Sequence, residues 1–600
     1  GDQGGQIFIR GGSPIQNKIL LDGLTIYNPF HSIGFFSVFE TELIRNVDVF
    51  TGGFSAEYGG RISAIVDIST RDGNKKRFGG QIAANPFLYK AYVEGPLVKY
   101  KEGGGSTSFI FSSKNSIIDQ TADLFYEHAA YNDSIGLPFK FNDLYGKMSF
   151  VNQNGSKLNL FGFNFRDGYD NPLIANLNWT NSGGGADFTL IPGNSNFILN
   201  GMMGYTDYGI KLNETDGSPR ESNIRGFTAL LDFNFFGNKS ELNYGIEFNS
   251  FNTTFRFQNP FRVILGQEQN TTEIGAFAKY RYVLSNLILE ASFRLQYYAS
   301  LSEFSPEPRL AVKYNATDFL RFKVAAGRYS QNLLASSNER DVVNLFTGFL
   351  SGPEEQIFLL GGGQVAESNI QKANHLVGGV EVDLTKNISV NIEGYFKDFS
   401  QLIIVNRNKV QASDPNFSTE EGSAYGFDIA IDYKWQRFAL TSNYALGYVF
   451  RSDGEQTYPP VFDRRHNVNL LGSYSFGNNN TWEASIRWNL GSGFPFTRTQ
   501  GFYNFNSFSE GLGTNYVQDN PNDIGIIYEE NRNAGRLPYY HRLDFSISKK
   551  IQLTKNQNII LDASITNLYN RQNIFYFDRL SYNRVNQLPI LASLGIKVNF

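Results

Sequence analysis

The chain has 600 residues, with 53 Lys and Arg against 57 Asp and Glu, a formal net charge of −4 and no cysteine. Without cysteine there is no disulfide scaffold, thiolate metal site or thiol nucleophile, and the balanced charge offers no global basic field for nucleic acid. Aromatics reach 15% and charged residues only 18%, against about 25% charged in ordinary soluble domains; this mixture fits a β-rich chain.

No run of about eighteen apolar residues is present to form a transmembrane helix. A transmembrane barrel stays open, because it needs apolar residues only on its outer face. Gly1-Asp2-Gln3-Gly4-Gly5 is polar and lacks the features of a signal peptide. Ile7-Phe8-Ile9-Arg10 reads as a strand already in progress, so the chain is expected to be a fragment. Residues 1–75 are short apolar runs punctuated by Gly11-Gly12, Asp22-Gly23, Gly52-Gly53 and Gly59-Gly60. They predict a small α+β unit with strands near 6–10, 18–22, 46–50 and 62–69. A short helix is predicted over 39–44, since Val38, Phe39, Leu43 and Ile44 share a helical face.

From residue 76 onward the pattern is period-two alternation. A first strand is predicted near 78–84, then hairpins around 87–114, 144–165 and 186–205. Further pairs follow at 227–235 with 242–248, 274–282 with 287–295, 310–314 with 320–326, and 376–384 with 388–396. The last are 427–435 with 438–448, 468–476 with 482–490, 543–551 with 559–565, and a final strand at 590–600. In that strand Ile590, Ala592, Leu594, Ile596, Val598 and Phe600 share one face, and Leu591, Ser593, Gly595, Lys597 and Asn599 lie on the other. Turns inside hairpins are short, while connectors such as 328–374, 398–425 and 491–541 are long. This rhythm, with Trp435, Trp482 and Trp488 near strand ends, suits an outer-membrane barrel with aromatic girdles better than a soluble sandwich or propeller. The reading is an all-β transmembrane barrel of about 22 antiparallel strands (76–600) with a small α+β plug domain (1–75) in its lumen, a size at which a plugged lumen is expected.

Three stretches carry a family resemblance: Ile7-Phe8-Ile9-Arg10-Gly11-Gly12, Ile19-Leu20-Leu21-Asp22-Gly23, and Ile44 to Gly60 with its Val49-Phe50-Thr51-Gly52-Gly53 centre. In order and spacing they resemble the plug motifs of TonB-dependent outer-membrane receptors. Gly535-Arg536-Leu537-Pro538, Thr566-Asn567-Leu568-Tyr569-Asn570 and the terminal Phe600 are similar to late-barrel signatures of that family. Tyr27-Asn28-Pro29-Phe30-His31 and Val93-Glu94-Gly95-Pro96-Leu97 resemble the Bacteroidetes form. The resemblance implies a Gram-negative outer-membrane location, a small solute ligand bound outside between plug apices and loops, and TonB pulling an N-terminal box upstream of Gly1. Outer-membrane lipid and a surface lipoprotein are further implied partners.

The resemblance also places site residues. Arg10 stands where the family has a plug-locking arginine that pairs with carboxylates of the barrel wall. Glu381 and Glu393, on inner faces of adjacent predicted strands, are the candidate partners. Thr51 stands where many relatives carry a second basic residue, which departs from a two-arginine lock. Tyr27, Asn28, His31, Phe35 and Phe36 fall in the family's ligand-facing loop, where aromatics offer an amphipathic platform for sugars or aryl chelates; packed core under the loops is the alternative for Tyr27 and His31 and the favoured reading for Phe35 and Phe36. No catalytic or metal-ligating constellation is evident: the five histidines are scattered, HExxH is absent, and Ser546-Ile547-Ser548-Lys549 lies on an alternating strand. The reading is therefore a transport receptor without enzyme activity or cofactor. Family analogy favours a metal chelate such as a ferric siderophore over a glycan, peptide or cobalamin, and the rival is a passive or adhesive plugged barrel.

Overall fold

The structure, a computed structural model, describes residues 6–101, 103–129, 137–171, 175–193, 195–214, 218–259, 263–336, 345–357, 359, 365–366, 368–406, 409, 411, 413–504, 524–579 and 583–600. Alternating sequence becomes a closed antiparallel barrel of 22 strands, with Thr457–Tyr458 as a small side strand on Phe438–Ser452. Closure joins the first strand, Gly79–Ala84, to the last, Leu591–Asn599, in the register Ile596↔Ala84 and Val598↔Ile82. The Phe600 and Gly80 backbones extend that ladder by exchanging hydrogen bonds of 3.0 and 3.1 Å. On the last strand Ala592, Leu594 and Ile596 are exposed outward and Ser593 is buried, the alternation a lipid-facing wall requires.

All the long connectors lie at one end of the barrel, among shorter ones such as 85–87 and 299–302, and the other end has short turns throughout. Strands run from 6 residues in Gly79–Ala84 to 21 in Ile264–Leu284. Since about 9–11 tilted residues span a bilayer, the longer strands project beyond it. In the first long connector the helix Ile118–Phe125, absent from the sequence reading, packs Ile118 and Ala122 against Phe87 and Leu591. Part of the 328–374 connector folds back into the barrel as the hairpin Leu334–Ser336 with Gly348–Leu350.

The plug is a four-stranded sheet ordered Leu24–Thr25, Asn17–Leu21, Ala64–Thr70, Ile44–Phe50. Its two central strands are parallel, with Ile19 opposite Val66, and every residue of Asn17–Leu21 is buried, as a strand covered on both faces demands. Two expectations fail locally. Residues 39–44 form only a 3-10 turn, Thr41–Leu43, because Ile44 already begins the strand that pairs with Ala64–Thr70. Residues 6–10 make a lone Ile9–Gly12 bridge rather than a strand, since Arg10 (φ 44°) and Gly11 (φ 78°) turn the chain there.

Candidate functional site

The plug is fixed to the wall at two levels. Toward the short-turn end, Glu393 and Asp428 stand directly opposite each other on neighbouring strands. Like charges in that register repel, and Arg10 neutralises both, donating Nε to Asp428 at 2.7 Å and Nη2 to Glu393 at 2.5 Å. Its guanidinium also lies 5.0 Å from the centre of the Tyr395 ring. The planar fork suits two carboxylates at once. Glu381 does not join them. Its carboxylate is taken up by Lys313, Arg321 and Lys323 of the wall at 2.8–3.1 Å, because Arg321 is its cross-strand partner.

Sequence reasoning missed Asp428, although its inward register opposite Glu393 is the signal that finds it. It also missed the wall cations that grip the plug's glycine-rich loop. Arg309 donates Nη1 to the carbonyls of Phe54, Ser55 and Tyr58 at 3.2, 2.5 and 2.7 Å. Arg294 reaches the Ala56 carbonyl at 3.3 Å, and Lys397 donates to the Ser63 carbonyl at 3.0 Å. Gly53, at φ 65°, and Gly59, where a Cβ would collide with Arg294, permit this close approach. The Asp22 turn is held in the same way: Tyr145 donates its hydroxyl to the carboxylate at 2.6 Å and Lys147 lies at 3.3 Å.

Nearer the long-connector end, the five predicted ligand-facing residues separate into three environments. Tyr27 and Asn28 line a cavity of about 90 Å³ with Trp179, Tyr208 and Phe349. Burial pushes the Tyr27 phenol up to about 12, so it is a neutral hydroxyl at physiological pH. His31 is fully buried, its ring stacked on Phe141 and Trp179 at 4.5 and 5.1 Å between centres. Its Nε2 lies 2.7 Å from Asp143 and its Nδ1 3.4 Å from Asp167, which also accepts the Ser32 N–H at 3.1 Å. Burial opposes the imidazolium, but the carboxylates of Asp143 and Asp167 outweigh it and raise the pKa above its usual 6.5. His31 is thus a latch between plug and wall, correcting its placement on a ligand-facing surface. Phe35 and Phe36 pack edge to face, 4.6 Å apart, in the cluster around Phe87 and Tyr126. Half-buried, they pack against that core and do not line the Tyr27 cavity.

A family model described as TonB dependent receptor-like, beta-barrel, matches residues 105–568, and one for the TonB-dependent Receptor Plug Domain matches residues 1–65. The chain belongs to the TonB-dependent receptor family, and is accordingly an outer-membrane transport receptor rather than an enzyme. Among solved structures it is similar to the FrpB iron transporter of Neisseria meningitidis, with 13% identity, 98% of this chain and 92% of that one covered, and a TM-score of 0.67. The ferric enterobactin receptor PfeA of Pseudomonas aeruginosa gives 12%, 99%, 92% and 0.69, and the siderophore receptor PirA of Acinetobacter baumannii 13%, 99%, 92% and 0.68. No curated protein sequence matches.

Proposed function

We propose that this receptor takes up a small metal chelate, of the ferric siderophore class, in a TonB-energised step. The observation that carries the reading is the continuity between cavity and latch. Tyr27 and Asn28 line the cavity, and His31, on the same short loop, is bonded to the wall. A ligand shifts an equilibrium only through its different affinities for the two states. One seated against Tyr27 acts on the segment whose release frees the plug, which gives such a difference a physical route. The aromatic lining, in a cavity of about 90 Å³, suits one apolar or aryl group at the edge of such a ligand, and the names of the iron transporter and siderophore receptors it resembles favour iron among metals.

Mass spectrometry of the receptor gently extracted from its own outer membrane tests the choice of ligand. A lone barrel carrying a metal chelate is the expected result. A stoichiometric surface lipoprotein with bound oligosaccharide or peptide would overturn the chelate and make this a lidded nutrient importer.

A further inference from the structure

The plug buries one cation for which the described residues supply no ion pair, although Glu273 and Glu247 lie near enough to act on its charge. Arg61 follows Gly59-Gly60 and is 9% exposed. Its Nη1 donates to the Gly60 carbonyl at 2.7 Å, its Nε has no partner, and among the described residues no carboxylate lies within ion-pair distance of it. Of the other cations nearby, Lys18 and Arg294 share Glu247 and Arg309 holds Glu307, while Lys397 is bonded to Ser63. Glu273 lines an adjoining cavity of about 40 Å³ alongside Arg61 without reaching it. Burial lowers Arg61's pKa below its usual value, against the opposing pull of Tyr27, Glu273 and Glu247.

Arg61 lines both cavities, which also share Thr25 and Tyr27. The larger, about 90 Å³, equals roughly three waters at about 30 Å³ each. That is room for one oxyanion group and far less than the roughly 300–1,000 Å³ of a drug-sized site. Trp179 and Phe349 supply apolar walls that strengthen a charge pair by excluding water, and Asp167, a carboxylate on the same lining, is already engaged by His31 and the Ser32 N–H. The neutral Tyr27 phenol adds a hydroxyl on the same lining.

We propose that Arg61 is the anchor of an oxyanion subsite, taking a single carboxylate or phosphate group in the cavity it shares with Tyr27. The group arrives either as a free anion or as the anionic end of the transported solute; the second source rests on the uptake reading above.

The test uses the full chain in detergent and the fluorescence of Trp179 on the cavity wall, with Trp179→Phe as the blank. Acetate, inorganic phosphate, citrate and ferric citrate are titrated at constant ionic strength, with mannitol as the uncharged control. Wild-type protein should give a saturable change with an oxyanion and none with mannitol. Losing a charge-assisted bond should weaken it about tenfold or more in Arg61→Gln, while Arg61→Lys keeps most of the response. Saturation by acetate or phosphate identifies a free-anion site, and saturation by ferric citrate alone identifies the end of a solute. Heat-modifiable migration on gels confirms that each variant is a folded barrel. The proposal is overturned if no oxyanion saturates, if Arg61→Gln responds like wild type, or if Arg61→Gln and Glu273→Gln lose equal stability and neither wild type nor variant binds, which would make the two a structural pair. TonB-dependent uptake of an uncharged chelate at the wild-type rate by Arg61→Gln, with no oxyanion response in wild type, would remove the subsite and leave the receptor reading standing.

Discussion

Replacing Arg10 by alanine tests the plug–wall lock quantitatively. Removing one partner of a fully buried ion pair costs about 3–5 kcal/mol. Here the Arg10 side chain is 6% exposed, but its partners Glu393 and Asp428 are 16% and 33% exposed. Glu393 also keeps Lys323. Solvent and that second cation screen what remains, which brings the loss to about 2 kcal/mol. At about 1.4 kcal/mol per factor of ten, the plug arm should open about 30-fold more often. Hydrogen exchange at Gly12, whose N–H bonds the Ile9 carbonyl at 2.9 Å, reads that opening directly. Exchange should accelerate about 30-fold in Arg10→Ala, while amides of the Ile388–Val405 and Phe417–Trp435 strands keep their rates. Asp428→Asn should do less harm, because it also relieves the repulsion with Glu393. In a double-mutant cycle Arg10→Ala and Glu393→Gln should be non-additive. Unchanged exchange at Gly12 in Arg10→Ala would refute the reasoning.

Protonation of His31 is coupled to plug docking. A folded-state pKa raised above 6.5 means that its stabilisation is complete below the unfolded value and is lost as pH rises through the raised one. Trp179 emission, sensitive to the ring stacked 5.1 Å away, should therefore titrate with a midpoint above 6.5 and lose that titration in His31→Gln; a midpoint below it would contradict the latch. At Gly11, φ is 78° and a Cβ would collide with that of Ala424, so Gly11→Ala should cost about 1–3 kcal/mol. The expected sign is faster exchange at residues 9–12 with an intact barrel, and wild-type exchange would count against the close approach.

The barrel was legible because its physics is local. One face of each strand meets lipid and the other meets the lumen, so alternation shows in any short window, as in the strand that ends at Phe600. The plug's terminal elements were not, because tertiary pairing overrode local preference. Val38 to Ile44 has a helical spacing, yet Ile44 is claimed by the edge of the plug sheet. The site was legible in pieces. Arg10 was placed by the family resemblance, and Glu393 by the inward alternation of its strand. Asp428 required the register between two strands, and Glu381 was misplaced because Arg321 faces it only once those strands pair. His31 sits on a loop that reads as exposed; Asp143 and Asp167, which bury it, lie over a hundred residues away.

Uptake of radiolabelled ferric chelates by cells expressing this receptor, with and without a functional TonB, tests the central claim most directly. The account predicts saturable accumulation that requires both the receptor and TonB. Accumulation that persists undiminished without TonB would contradict it and make the chain a passive plugged barrel.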